Sequence, residues 1–406
     1  MENIGVFRDS FNPIHIGHIN FLKIVKKEYN LDRIILVLTN NLKNNITLAS
    51  IKDRINMCEL ATKGINFLKI YKYNLRQNCL VYTVDILKEI KKKYNNCELN
   101  LILPQTILPY FDRLYKLDEI SKIAKIRSIA SKIYYEFFHK KYNNINKDID
   151  IIIKKEKLIN INPTKLRCML AQREDCSEFL DFNVYEYIKN RNLYKGKNFL
   201  FWECYTVCKK HTSRKRFIHC NFVAKAAKEL ARVYGESEVD AKIAGILHDI
   251  MKEKTEKYML NLLKKYNITL SPMQMLNPKV WHGLAGATYI KNIMGIKYEH
   301  ILNAIKYHTI PRKDMTTFEK IIFIADSISQ DRKYKDVKYQ RKIAKENLDD
   351  AVLYRLKSAM LSLIKKQSTV FTQTLECYNK IILQKNEEYK KNENWRYFKN
   401  NNRYFK

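Results

Sequence analysis

The second half of the chain carries the side chains most able to do chemistry. They are an arginine with a following histidine, an adjacent His-Asp pair, two further histidines and an aspartate: Arg216-x-x-His219, His248-Asp249, His282, His308 and Asp326. Four imidazoles and two carboxylates form a mixed nitrogen and oxygen donor set, which suits Fe, Mn or Zn rather than Ca. Six ligands are too many for one tetrahedral zinc ion, and Asp249 can bridge two ions while His248 binds one. The set predicts a centre of two divalent metal ions, with Fe, Mn and Zn left open as their identity.

The surroundings of the two aspartates favour this interpretation over isolated surface histidines. His248-Asp249 follows the apolar run Ala244–Leu247, and Asp326 follows the apolar run Ile321–Ala325. Burying a carboxylate is costly unless it is paired or bound to a metal ion. Both aspartates are therefore expected at a buried metal site.

A second constellation lies near the N-terminus, where His15-Ile-Gly17-His18 follows a short apolar segment and precedes a helical pattern. Free N–H groups and the helix dipole favour phosphate at a helix N-terminus. Two imidazoles three residues apart can point the same way there and donate to a triphosphate in the transition state. Gly17 allows the backbone to approach closely. The motif alone is weak, but its position between strand and helix predicts a nucleotide site.

The elements that must position these residues differ between the two halves. The predicted strands are Asn3–Phe7, Arg33–Leu38, Leu99–Leu103 and Ile149–Ile153, and the predicted helices are Ile16–Lys27, Ile51–Thr62 and Thr83–Lys93. This alternation predicts an α/β Rossmann-like parallel sheet. Beyond about residue 197 helical periodicity takes over, which predicts an all-α helical bundle with each metal ligand on its own helix. We therefore predict domains at 1–195 and 196–384, followed by a basic aromatic tail at 385–406.

The composition of the chain limits where the protein is expected to act and which classes of partner it is expected to bind. Among 406 residues, 75 are Lys or Arg and 42 are Asp or Glu, a net charge of +33. Lysine is abundant together with Asn, Ile and Tyr, while Gly and Pro are scarce, which is typical of AT-rich coding. The net charge is therefore weaker evidence for a polyanionic partner than it would otherwise be. No apolar stretch approaches the ~18 residues of a spanning helix, and the N-terminus does not look like a signal peptide. Nine cysteines without a CxxC pair predict reduced thiols and a cytoplasmic protein without a membrane partner.

Residues 1–194 resemble the bacterial nicotinate-nucleotide adenylyltransferases of the HxGH nucleotidyltransferase superfamily. Besides the histidine motif, the resemblance rests on the Lys43 region, Arg54, Tyr82-Thr83-x-Asp85 and Ile161-Asn-Pro-Thr164-Lys-Leu-Arg167. It implies transfer of AMP from ATP to nicotinate mononucleotide with Mg²⁺. It also implies that His15 and His18 steady the phosphates, that Thr164 and Arg167 hold the leaving pyrophosphate, and that Gly17, Lys43 and Thr83 bind the nucleotide.

The first half also departs from that family pattern. Arg8-Asp9 stands where the family has Gly-Gly, Pro104-Gln-Thr106 replaces Gly-x-Asp, Tyr115 replaces a Trp, and Pro163 replaces a Ser. Glycines let backbone amides approach phosphate, whereas Asp9 places a carboxylate there. Two interpretations stay open, an active adenylyltransferase and a nucleotide-binding or purely structural domain.

Residues 214–379 resemble the YqeK-type HD-domain phosphohydrolases, which cleave diadenosine tetraphosphate symmetrically to two ADP. The resemblance rests on the metal-ligand motifs above, on Lys252 and on Asp331-Arg332; Pro311 and Ser329-Gln330 depart from it. It implies one metal set of His219, His248, Asp249 and Asp326, and a second that shares Asp249 and adds His282 and His308. Lys252 is expected to offset phosphate charge in catalysis, and Arg216 and Arg332 are expected to bind the nucleotide phosphates.

Two rival functions remain. One is a bifunctional enzyme whose main role is NAD biosynthesis by the first half. The other is a basic RNA-binding or scaffold protein, supported by the net charge and by tail aromatics such as Trp395 and Tyr404. RNA and a homo-oligomer are left open as partners.

Overall fold

The computed structural model describes residues 1–39, 47–72, 82–142, 149–154 and 159–391, and the chain divides into two compact units, Met1–Lys195 and Gly196–Lys406. In the described part of the first unit the strands are β1 (Glu2–Asp9), β2 (Arg33–Leu38), β3 (Leu68–Tyr71), β4 (Cys97–Pro104), β5 (Lys125–Ala130) and β6 (Ile149–Ile153). Its α-helices are α1 (Ile16–Glu28), α2 (Ile51–Thr62), α3 (Thr83–Lys93), α4 (Leu117–Ile123), α5 (Lys132–Lys141), α6 (Pro163–Ala171) and α7 (Phe182–Asn190). A 3₁₀ segment occupies Gln105–Arg113.

The strands form one parallel sheet in the order β3-β2-β1-β4-β5-β6, which confirms the predicted Rossmann-like fold. β1 is central, and Ile4, Val6 and Phe7 within it are at most 1% exposed. In such doubly wound sheets, ligands bind outside the carboxyl ends of the strands near the point where the strand order reverses. The loop from β1 to α1, which carries the histidine motif, lies at that point.

Helices account for the regular structure in the described part of the second unit. They are α8 (Gly196–His211), α9 (Arg214–Val233), α10 (Glu238–Leu247), α11 (Glu256–Lys265), α12 (Pro272–Met275), α13 (Trp281–Asn292), α14 (Glu299–Tyr307), α15 (Thr317–Ile328), α16 (Val337–Glu346), α17 (Leu348–Lys365) and α18 (Thr372–Lys391). The predicted all-helical second half is confirmed. Helix α18 continues past residue 384, and the tail aromatics Trp395, Tyr397, Phe398, Tyr404 and Phe405 lie outside the described residues.

Close packing of α9 against α10 brings two parts of the candidate metal site together. A Cβ atom at Gly245 of α10 would lie 2.7 Å from the Ala224 Cα of α9, so a glycine is needed at this crossing. Beyond this crossing, the apolar faces of the two helices are buried at Ala227 of α9 and Leu247 of α10. Within the described part of the chain, no helix is long and apolar enough to cross a membrane.

Candidate metal centre and nucleotide site

The predicted metal ligands reach one centre from five helices. His219 lies on α9, Asp326 on α15 and His282 in the first turn of α13. The His248-Asp249 pair and His308 instead lie directly after the C-terminal ends of α10 and α14. The prediction that each ligand lies on its own helix is therefore wrong at these positions. The physical reason is that carbonyls of a last helical turn lack intrahelical partners, and these histidines bind them.

The four histidines are held in the same tautomer by the hydrogen bonds of their Nδ1 atoms. The acceptors are the Gly245 carbonyl for His248 at 2.8 Å, the Ile305 carbonyl for His308 at 2.6 Å, the Lys279 carbonyl for His282 at 2.9 Å, and the Asp331 carboxylate for His219 at 2.8 Å. A carbonyl or carboxylate oxygen only accepts, so each Nδ1 carries the proton. Nε2 is therefore the ring nitrogen of each histidine that can bind a metal ion.

Asp249 lies between two pairs of histidines. Its Oδ2 is 3.5 Å from the Nε2 of His248 and 3.9 Å from the Nε2 of His219. Its Oδ1 is 3.1 Å from the Nε2 of His282 and 3.5 Å from the Nε2 of His308. The two oxygens of one carboxylate thus face different histidines, which is the arrangement that a bridging ligand needs.

Asp326 completes the cluster on the side of His219 and His248. Its Oδ1 lies 3.1 Å from the Nε2 of His219 and 3.8 Å from the Nε2 of His248. Two groups of three residues hold their candidate ligand atoms within 4.8 Å of one another: His219, His248 and Asp326, and His248, Asp249 and His308. The structure therefore brings all six predicted ligands together.

Several of these atoms lack hydrogen bonds although they are buried. The Nε2 atoms of His219 and His248 and the Oδ1 of Asp249 make none to any described residue. Orphaned buried polar atoms are rare in native structures because each one costs free energy. Their convergence and the nitrogen and oxygen donor set fit a divalent metal ion.

The carboxylates and imidazoles of the cluster stabilise each other's charged forms. Burial alone would raise the pKa of Asp249, but the surrounding histidines hold it well below its usual range. Burial would also lower the pKa of His248, yet Asp249 and Asp326 raise it to about 8. At His282 burial prevails and lowers the pKa to about 4. The aspartates are therefore ionised at neutral pH, as metal ligands must be.

Three cationic side chains surround the cluster. Arg216 Nη1 lies 2.5 Å from Asp249 Oδ2, and Lys252 donates to the Nε2 of His282 at 3.0 Å. Arg332 contacts Asp326 with Nη2 and donates to its backbone carbonyl from Nε at 2.9 Å. Burial lowers the pKa of Lys252. The positive charge expected for binding phosphate is thus present within reach of the ligands.

The two histidines of the N-terminal motif form a reciprocal cap on α1. The Nδ1 of His15 accepts from the His18 amide at 3.3 Å, and the Nδ1 of His18 accepts from the His15 amide at 3.2 Å. Their rings are stacked with centroids 3.6 Å apart. The Nδ1 atoms are acceptors, so in the neutral rings the protons lie on Nε2. These Nε2–H groups are suitable donors to a phosphate.

A cavity of about 390 Å³ lies beside this pair. Its walls are formed by the end of β1, the start of α1 and the segments around 104–106 and 159–163, including Asp9, His15, Gly17, His18, Thr106 and Asn162. Burial lowers the pKa of His15 to about 2 and that of His18 to about 3, so both are neutral at physiological pH. A Cβ atom at Gly17 would lie 2.7 Å from the Ile159 carbonyl oxygen. Gly17 therefore admits a backbone segment of this chain at the cavity wall.

Asp9 and Arg54 shape the loop that leads into α1. The Asp9 carboxylate accepts from the Ser10 amide and from the Phe11 amide, the latter at 3.3 Å. Arg54 is fully buried and donates to the carbonyls of Ser10 at 2.7 Å and Thr39 at 2.8 Å. The Asp9 carboxylate thus accepts hydrogen bonds from amides of the loop. Arg54 binds carbonyls of the loop and is not among the residues that line the cavity.

Two other predicted residues of the first unit, Arg167 and Thr83, contact the β1–α1 loop and the end of β1 respectively. Arg167 donates to the Asn12 carbonyl at 2.8 Å and to the Thr164 hydroxyl at 3.3 Å. Thr83, in the first turn of α3, accepts from Arg8 at 2.8 Å. Lys43 lies outside the described residues.

Comparison with known proteins decides the family of each unit. Residues 216–331 match the HD domain family and residues 6–177 the cytidylyltransferase-like family. A symmetrical bis(5'-nucleosyl)-tetraphosphatase of Bacillus subtilis is 34% identical over 182 residues, covering 44% of this chain and 96% of that protein. A probable nicotinate-nucleotide adenylyltransferase of Borreliella afzelii is 31% identical over 196 residues, covering 48% of this chain and 97% of that protein. The first unit therefore belongs to the cytidylyltransferase-like family, and the second unit belongs to the HD domain family.

A relative with the same two-part organisation also exists. A Mycoplasma genitalium protein named probable nicotinate-nucleotide adenylyltransferase/Ap4A hydrolase is 28% identical over 370 residues, covering 88% of this chain and 97% of that protein. The predicted fusion of an adenylyltransferase-like domain with an HD-domain tetraphosphatase is confirmed.

Sequence reasoning missed the groups that orient the candidate metal ligands. The carbonyls bound by His248, His282 and His308 each belong to the residue three positions earlier in the chain. The sequence shows that spacing, but it does not show that the histidine side chain turns back to bind the carbonyl. Asp331 appeared in the sequence only as part of a matched Asp-Arg pair, and its contact with His219 spans 112 residues of sequence. No periodicity signals a contact of that range.

Proposed function

We propose that the second unit hydrolyses diadenosine tetraphosphate symmetrically to two molecules of ADP. The observation that carries the proposal is the placement of Asp249 between two pairs of buried histidine Nε2 atoms in an HD domain. The resemblance to symmetrical tetraphosphatases over most of their length supports the same substrate class. The two-part relative supports its combination with an adenylyltransferase-like domain.

In this proposal the six side chains hold two divalent ions. One set consists of His219, His248, Asp249 and Asp326, and the other of Asp249, His282 and His308. Two such ions supply a water molecule of lowered pKa and neutralise charge on the attacked phosphate. The donor set suits Fe, Mn or Zn, and iron is our first expectation.

The remaining work falls to residues around the ligands. Water attacks an inner phosphorus next to the central bridging oxygen, and the bond between that phosphorus and the oxygen breaks. The departing ADP keeps the bridging oxygen and the other ADP gains the water oxygen. One water proton is lost to solvent as the water attacks and the other afterwards, so both ADP molecules leave as anions. Arg216, Lys252 and Arg332 bind phosphate oxygens and offset their charge as it shifts to the leaving group.

The direct test is product analysis. The full chain, loaded with Fe²⁺ or Mn²⁺ under reducing conditions, is incubated with diadenosine tetraphosphate and the nucleotides are separated. ADP as the sole product supports the proposal, whereas ATP plus AMP contradicts symmetrical cleavage. A metal-loaded chain that leaves this substrate intact contradicts the proposed substrate.

We also propose that the first unit transfers AMP from ATP to nicotinate mononucleotide. A specific observation favours it, namely two neutral imidazoles at a cavity of about 390 Å³ on the ligand-binding edge of the sheet. A phosphate oxygen of the mononucleotide attacks the α-phosphorus of ATP, and pyrophosphate leaves with the bridging oxygen. His15 and His18 donate to the phosphates from Nε2, Thr164 and Arg167 contact the pyrophosphate side, and ATP carries Mg²⁺.

This second activity is tested by pyrophosphate release that requires nicotinate mononucleotide. His18→Ala is expected to abolish it. Pyrophosphate release by His18→Ala at the wild-type rate would contradict the role of the motif. A wild-type chain that binds ATP without turnover would favour the alternative of a nucleotide-binding domain.

A further inference from the structure

We infer that Asp331 is a positioning residue that makes His219 the strongest imidazole donor of the metal centre, an inference that rests on the proposed function. The Asp331 Oδ2 accepts from the Nδ1 of His219 at 2.8 Å. The other three ligand histidines donate from Nδ1 to neutral backbone carbonyls. His219 alone among these four therefore has a charged acceptor behind it.

The charge of that acceptor changes the chemistry of the ring. A carboxylate behind a metal-binding histidine fixes the tautomer and raises the basicity of the other nitrogen. The Nε2 of His219 makes no hydrogen bond within the described chain and lies 3.1 Å from Asp326 Oδ1, another predicted ligand. Asp331 is thus expected to raise the basicity of the Nε2 of His219, which is the atom that faces the proposed metal position.

The loop that carries Asp331 is built to keep it there. The Ser329 hydroxyl donates to the second carboxylate oxygen of Asp331 at 2.7 Å. Arg341 of α16 donates to the carbonyls of Ile328 at 2.9 Å, Ser329 at 2.7 Å and Arg332 at 3.2 Å. Because the Asp331 side chain is 32% exposed, these bonds are what restrict its orientation.

The substitution Asp331→Asn removes the negative charge of the side chain while keeping its size and its hydrogen bonds. Asp331→Asn keeps an oxygen that can accept from His219, and its amide nitrogen can donate to the Ser329 hydroxyl. Only the negative charge is lost. Asp331→Ala removes the acceptor as well, so its effect is expected to be larger.

The test measures the affinity of the full chain for Mn²⁺ alone, by titration against the electron paramagnetic resonance signal of the free ion. Loss of an outer partner of a metal ligand typically weakens metal affinity about 10–100-fold. We expect about tenfold for Asp331→Asn and about 100-fold for Asp331→Ala at one of the bound ions. Asp314→Asn, an exposed aspartate of the same unit, is the charge control and is expected to bind as the wild type does.

A double-mutant cycle distinguishes action through His219 from a general structural role. Adding Asp331→Asn to His219→Ala should cause no further loss of Mn²⁺ affinity. An equal loss in both backgrounds, or wild-type affinity in Asp331→Asn, would overturn the inference and leave the tetraphosphatase proposal intact. A wild-type chain that binds no Mn²⁺, Fe²⁺ or Zn²⁺ would overturn both.

Discussion

At the residue scale, Asp249 is the group on which we expect the proposed metal centre to depend most. Its two oxygens face four histidine Nε2 atoms, and no other described carboxylate is placed in this way. Asp249→Asn preserves the size of the side chain but removes its charge. We expect metal affinity to fall by more than about 100-fold, because even outer partners of metal ligands account for about 10–100-fold. Metal content after dialysis and hydrolysis of diadenosine tetraphosphate measure the effect.

The result is meaningful only if the variant folds. Asp314→Asn serves as the matched control, and circular dichroism compares the helical content of both variants with that of the wild type. A folded Asp249→Asn chain that retains its metal and hydrolyses the substrate would refute the centre described above.

The clustering of the six candidate ligands agrees with the prediction from sequence, whereas the groups that support them could not be predicted. His248-Asp249 and Asp326 stand out because polar groups follow apolar runs, which is a local signal. The Arg54 side chain lies in a helix, as the sequence suggests, but its role in binding loop carbonyls depends on tertiary contacts. Side-chain to backbone bonds across long sequence separations leave no periodic trace.

At the element scale, the crossing of α9 and α10 determines how His219 and His248 meet. A Cβ atom at Gly245 would lie 2.7 Å from the Ala224 Cα and 2.9 Å from its amide nitrogen, and backbone atoms cannot move aside as a flexible side chain can. We expect Gly245→Ala to lower the free energy of unfolding by about 1–3 kcal/mol, the usual effect of overpacking. It should also weaken metal binding, since His248 bonds to the Gly245 carbonyl. Thermal denaturation and Mn²⁺ titration measure the two effects.

Gly286 of α13 provides the matched control. A Cβ atom there would meet nothing closer than the Ile305 Cγ2 at 3.5 Å, an ordinary van der Waals contact. Alanine is favoured over glycine inside a helix by about 1 kcal/mol, so Gly286→Ala should be neutral or stabilising. If both variants unfold at the same temperature, the helix crossing does not constrain Gly245 as we argue.

The reciprocal histidine cap of α1 makes the first unit sensitive to acid. The pKa values of about 2 for His15 and about 3 for His18 lie below the ordinary value of 6.5, so the unfolded chain binds these protons more readily. Through these two groups, the free energy of unfolding of the first unit therefore does not change with pH above 6.5, and it decreases as the pH falls towards 3. Each histidine contributes at most about 1.4 kcal/mol per pH unit in that range.

The double variant His15→Asn/His18→Gln tests this effect without removing the cap. Asn is a preferred N-cap residue, and Gln at the third helical position completes a capping box. Hydrogen exchange of the α1 amides, compared between wild type and variant at pH 7 and pH 5, should show a greater loss of protection in the wild type. The same loss in both proteins would mean that the two rings do not control the acid sensitivity of α1.

The sequence predicted the bounds of several elements because their local signals agree with their tertiary setting. β2, α2, α3 and β6 have the predicted bounds, whereas β1 and β4 extend beyond the predicted apolar cores. β3 and β5 were not predicted, because Lys69 in the first and Lys125 and Arg127 in the second interrupt the apolar run. Parallel pairing to β2 and β4 supplies the stability that their own composition does not.

At the scale of the whole molecule, the charge is distributed rather than concentrated in the C-terminal tail. Residues 385–406 contain seven Lys or Arg and three Glu, a net charge of +4 out of +33 for the chain. Deleting this segment therefore removes only a small part of the attraction for a polyanion. Salt-sensitive RNA binding that disappeared with the tail would have to come from its aromatic residues rather than from its charge.

The two proposed activities should be separable within one chain, because the residues of each site come from one unit. His15 and His18 lie in Met1–Lys195, and all six predicted metal ligands lie in Gly196–Lys406. His18→Ala in the full chain should abolish adenylyl transfer, while its rate of diadenosine tetraphosphate hydrolysis stays within about twofold of the wild type. Asp249→Asn should give the opposite pattern. Both reactions are measured on the same preparations, so differences in folding or concentration cancel. Loss of both activities in either variant would contradict two sites of independent chemistry, since substitutions without shared partners have additive effects.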